Sequence, residues 1–115
     1  MADNEVLLPL HSAQHKLIQL CDTSLKTLCQ RNFITKLSLF GSALREDFTQ
    51  ESDIDLLVEF EANHTPTLLK LARMERELAT LFGDRKIDLR TPEELSPYFR
   101  DKVISEAVVL YDSAR

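Results

Sequence analysis

Long apolar runs are missing from this 115-residue chain. None approaches the roughly 20 residues needed to cross a bilayer. Cysteine is scarce: Cys21 and Cys29 are the only two, and both fall inside a helical pattern. Two helical turns hold them roughly 12 Å apart, too far for a disulfide. No Cys/His quartet has zinc spacing. His11, His15 and His64 are scattered and read as surface or helix-start residues. Positive charge is short as well, with 14 Lys+Arg against 19 Asp+Glu and a net charge of -5. Binding along nucleic acid needs a cationic surface, so no direct nucleic-acid binding is expected. A nucleotide is not excluded, because a divalent metal can supply positive charge locally. The first ten residues carry Asp3 and Glu5 and no basic cluster, unlike a secretory leader. The expected location is the cytoplasm, away from membranes.

The length suits one domain with one core, spanning 1–115 with 1–10 as a loose lead-in. Helical spacing runs from Ser12 to Arg31 through Leu17, Cys21, Leu25 and Leu28. Phe33 to Phe40 is a β-type run that stops at Gly41, and Ser42 to Arg45 starts a short helix. Ile54 to Phe60 alternates as a strand, with Ile54, Leu56 and Val58 on one face and Asp55, Leu57 and Glu59 on the other. Pro66 behind Thr65 opens a helix that runs to Gly83. Lys86 to Arg90 is a short strand. Thr91-Pro92 and then Pro97 open further helix, with Val103, Ile104 and Ala107 packing one side. Val108 to Tyr111 is compatible with a last strand or with the helix end. The order implies an α/β (α+β) layer of three to four strands, helices on one face and the other face open. Strand parity puts Asp53, Asp55 and Asp88 together on that open face.

Gly41-Ser42, ten residues, then Asp53-Ile54-Asp55 is the pattern that carries chemistry. Gly41 lacks the β-carbon where backbone must approach phosphate oxygens. Ser42 offers a hydroxyl and an N–H at a helix start, and Arg45, one turn on, can reach the same phosphates. Asp53 and Asp55 repel each other unless a cation lies between them. Mg2+ suits oxygen ligands shared with substrate phosphates, and Asp88 would let a second ion bind. Asp88 can also serve as the base for an attacking hydroxyl. The whole pattern should arise by chance in roughly one chain in a thousand of this length.

Leu39-Phe40-Gly41-Ser42, Ser52-Asp53-Ile54-Asp55-Leu56-Leu57-Val58 and Ile87-Asp88-Leu89 resemble the DNA polymerase β-type nucleotidyltransferase superfamily, in its minimal, MNT-domain branch. The likeness covers about residues 33 to 111. It implies triphosphate binding by Gly41 and Ser42, and magnesium binding and acceptor activation by Asp53, Asp55 and Asp88. Many members resemble the antitoxin of HEPN/MNT pairs. That implies transfer of AMP from ATP to a tyrosine hydroxyl on a HEPN ribonuclease toxin. A small-molecule nucleotidyltransferase, or a non-catalytic toxin binder, are the alternatives. Members often place Gly after the arginine that Arg45 matches; Glu46-Asp47 stands here instead. So short a chain leaves little room for an acceptor-binding domain. The last helix and Ala107 to Tyr111 either dock a partner or finish the core.

Overall fold

Alternating apolar residues become strands wherever one face can be buried, and four segments do so in the computed structural model, which describes residues 23–45, 47–49 and 51–114. These are β1 (Ile34–Phe40), β2 (Ile54–Phe60), β3 (Ile87–Arg90) and β4 (Val108–Asp112). The helices are α1 (Thr23–Arg31), α2 (Leu68–Leu81) and α3 (Pro97–Glu106), with short 3-10 turns at Gly41–Leu44 and Pro92–Glu94. The sheet order is β3-β2-β1-β4. β1 runs antiparallel to β2 and β4, whereas β2 and β3 are parallel. A parallel pair needs a crossover, and α2 supplies it. The result is the mixed α/β architecture that the sequence pattern predicts.

Leu37, Leu39, Ile54, Leu56 and Val58 are inaccessible to solvent and form the sheet's contribution to the core. Leu25, Leu28 and Cys29 of α1 and Met74 and Leu78 of α2 complete it. Each such burial is worth about 1.5–3 kcal/mol. A one-residue slip would turn the whole set outward, so the register is strongly fixed. The same register fixes which residues reach the other face. There Phe40 pairs with Asp55 across β1 and β2, and Asp55 pairs with Asp88 across β2 and β3. That face is not bare along its length, since Ser38 and Leu57, a register pair, are buried. It opens toward its aspartate end, where Asp53 is exposed and Asp55 and Asp88 are half-buried.

Several boundaries differ from the sequence expectation. α2 begins at Leu68 rather than Pro66, because the cap is Thr67, whose hydroxyl accepts from the Lys70 N–H at 3.2 Å. Gly83 follows α2 with φ +78, as a helix stop should. Thr91-Pro92 yields only a 3-10 turn, and α3 starts at Pro97 behind a Ser96 cap. Ile104 is exposed rather than packed, while Val103 and Ala107 are half-buried. Val108–Asp112 is a strand, and its Val108, Leu110 and Tyr111 pack against the core. Helix from Thr23 to Arg31 agrees with the expected first helix. Its earlier part, the 1–10 lead-in, Cys21, His11 and His15 lie outside the described residues. Among the described residues no helix is long and apolar enough to cross a membrane.

Candidate active site

β1 ends at Phe40 and the chain turns at once, with Gly41 at φ +59. A β-carbon on Gly41 would stand 2.6 Å from the Oδ2 of Asp55, so both the backbone and the neighbouring carboxylate favour glycine at this position. The turn aims Ser42 at the same oxygen. Its N–H donates to Asp55 Oδ2 at 3.0 Å and its hydroxyl donates at 2.8 Å. The hydroxyl also lies 3.2 Å from the Asp53 carbonyl, but it carries one proton, and the shorter, charge-assisted contact takes it. The Gly-Ser turn and the first strand carboxylate are thus one hydrogen-bonded unit.

Asp55 and Asp88 are register partners on parallel strands. Like charges side by side destabilise a sheet, so the pair is costly unless something uses it. Each carboxylate is met by its own counter-group. Asp55 has Ser42, Asp53 has Lys86 Nζ at 3.8 Å, and Asp88 has Arg90, whose Nε and Nη2 donate to Oδ1 at 3.1 Å and Oδ2 at 3.4 Å. Among the described residues no three acidic, histidine or cysteine side chains close around one point. The donor chemistry still fits a hard divalent cation: Asp55 and Asp88, in register, and Asp53, two residues before Asp55, offer oxygen only.

Arg90 carries a guanidinium pKa raised above its ordinary value, first by its hydrogen bonds to Asp88 and then by attraction to Asp88, with Glu94 and Asp55 adding to it. Arg85 shifts the other way. Burial lowers its pKa, and Asp53 offsets part of that. Arg45 spends its guanidinium on Asp47, with two hydrogen bonds of 3.1 Å. Glu46 lies outside the described residues. Beside Gly41 a cavity of about 240 Å3 opens, lined by Phe40, Leu44, Arg45, Val103 and Glu106. Sequence reasoning did not single out Arg85, Lys86 or Arg90. Lys86 and Arg90 were accessible to it, because they flank Asp88 at two residues on either side and share its parity.

The polymerase β nucleotidyltransferase profile matches residues 23–115. The chain belongs to this nucleotidyltransferase family. A relative within it is the protein adenylyltransferase MntA of Thermococcus cleftensis, 35% identical over 83 residues that cover 72% of this chain and 81% of that one. A solved structure of a candidate minimal nucleotidyltransferase is 33% identical, with a TM-score of 0.67, covering 85% of this chain and 96% of that one. The MNT antitoxin bound to a tri-AMPylated Shewanella oneidensis HEPN toxin shares the fold. It is 22% identical with a TM-score of 0.59, over 84% of this chain and 74% of that one.

Proposed function

We propose that this nucleotidyltransferase moves AMP from ATP to a tyrosine hydroxyl of a cognate HEPN-domain toxin and thereby silences it. One observation carries the reading: Gly41 and Ser42 converge on Asp55, which is itself in register with Asp88, all on the open end of a minimal fold. The MntA relative's name and the AMPylated toxin bound by a structural neighbour support the choice of acceptor.

Asp53, Asp55 and Asp88 would hold Mg2+, in one or two ions. When bound, the metal neutralises triphosphate charge and lowers the pKa of the attacking hydroxyl. The chain's own residues do the rest. The Gly41-Ser42 turn presents an N–H and a hydroxyl to phosphate oxygens, replacing their bonds to Asp55. Asp88 accepts the tyrosine proton. The tyrosine oxygen bonds to the α-phosphorus, the bond from that phosphorus to the bridging oxygen breaks, and pyrophosphate leaves. The test is to incubate the chain with ATP, Mg2+ and its HEPN partner and weigh the partner. An added AMP mass is expected, and it should vanish with Asp53→Asn or Asp55→Asn. An unmodified partner alongside intact ATP binding would refute the reading.

A further inference from the structure

Asp53 stands one residue ahead of β2, at the end of the loop that leaves Arg45, so the sheet's ladder does not hold it as it holds Asp55. Something else must fix it if it is to act at a set place. A Cα is fixed when the two planar peptide groups beside it are fixed. The peptide between Ser52 and Asp53 is held at its oxygen: Arg85 Nη2 donates to the Ser52 carbonyl at 2.6 Å. The peptide between Asp53 and Ile54 is held at its nitrogen, which donates to the Lys86 carbonyl at 2.9 Å. Both anchors come from the dipeptide that leads into β3.

Arg85 does more than touch one carbonyl. The same Nη2 donates to the Thr49 carbonyl at 2.6 Å, and the guanidinium carbon lies 4.7 Å from the centre of the Phe48 ring. Phe48 is buried. Thr49 and Ser52 are tied to each other by the Ser52 N–H, which donates to the Thr49 carbonyl, and by the Thr49 N–H, which donates to the Ser52 hydroxyl oxygen. Arg85 therefore grips a closed turn, not a loose strand. Among the described residues its Nε is the buried side-chain polar atom left with no partner. An unpaired buried N–H is costly, so this cation is held in place against its own solvation.

We infer that Arg85 is a positioning residue: it sets the placement of the Asp53 carboxylate relative to Asp88 by clamping the Thr49–Ser52 turn to the segment that enters β3. Because Arg85 and Asp88 belong to one short segment, the first and third carboxylates move together. The inference rests on the reading of Asp53 as a metal-holding group. It predicts that loss of the clamp acts on metal binding before any acceptor is present.

The experiment is a Mn2+ titration of the full chain, without nucleotide or partner, followed by electron paramagnetic resonance. Arg85→Gln should weaken Mn2+ binding by about tenfold or more, the scale expected when an outer partner of a metal-holding group is lost. Arg85→Lys keeps one nitrogen able to serve both carbonyls and should fall between. The deciding arm is the same pair of measurements in an Asp53→Asn background. There Arg85→Gln should cost nothing further, since the group it positions is gone. A purely structural role would weaken binding equally in both backgrounds, and that result would overturn the inference. So would unchanged affinity in Arg85→Gln. If Arg85→Gln fails to fold on thermal melting, Arg85→Lys carries the comparison. A native chain that binds no Mn2+ would instead refute the metal reading, and this inference with it.

Discussion

Gly41 and Asp55 are matched to each other across the β1–β2 junction: the Asp55 carboxylate occupies the space that any side chain at 41 would need. Gly41→Ala meets two obstacles. The left-handed backbone costs a residue with a β-carbon about 1–2 kcal/mol, and the carboxylate must also move. A misplacement of that kind near reacting atoms can lower turnover about a hundredfold. Transfer assays paired with melting curves should show a large loss of rate beside a modest loss of stability. Native-like turnover would contradict the proposed site.

Asp55→Asn separates chemistry from folding. The amide oxygen still accepts the Ser42 N–H, and the repulsion from Asp88 is relieved. Transfer should disappear while the unfolding free energy from denaturant titration changes by no more than about 1 kcal/mol in either direction. Ser42→Ala leaves the N–H in place and should reduce transfer without abolishing it. Equal loss in the two variants would mean that the hydroxyl is as necessary as the carboxylate.

If Asp88 holds a metal as proposed, Arg90 competes with that cation for it. The pair is partly exposed, so its removal should leave the melting temperature nearly unchanged. Nucleotide-free Mn2+ binding should tighten in Arg90→Gln, and the difference from the native chain should shrink as salt screens the pair. Weaker binding in the variant would show that Arg90 supports the metal site rather than guarding it.

Tyr111 should set part of the alkaline limit of stability. Burial raises its phenol pKa above the ordinary 10.0, with smaller contributions from Cys29, Glu61 and Asp112. A raised folded pKa means that the stabilisation is complete below the unfolded value and declines as pH climbs from there through the folded value. Melting curves above about pH 10 should therefore fall less steeply for Tyr111→Phe than for the native chain. Parallel curves would remove Tyr111 from the account.

Much of the site was legible because β parity is simple. Counting along each strand sets Asp55 opposite the buried Ile54, Leu56 and Val58, and Asp88 opposite the buried Ile87 and Leu89. Other features depend on where the chain meets itself. Nothing local says that β2 and β3 are neighbours, or that Asp55 falls level with Asp88. Pro66 points to Thr65 as the cap in sequence, whereas Thr67 caps the helix because its hydroxyl reaches the Lys70 N–H. Val108–Asp112 is an apolar run too short to declare its type until β1 offers an edge. Arg85 was invisible for a similar reason, since its partners lie 33 and 36 residues earlier in the chain.

β3 is four residues long and attached to the sheet on one side only, with its Leu89 N–H taken by Glu75 of α2. Four of the proposed site's residues, Gly41, Ser42, Asp53 and Asp55, belong to or flank the central strand pair; the fifth, Asp88, rides on this outermost strand. A ligand held by Asp55 and Asp88 together would act as an extra rung between centre and edge. By mass action the strand's fraying would then become rarer as ligand concentration rises. Amide exchange along residues 87–90 would report occupancy of the site without any chemistry taking place.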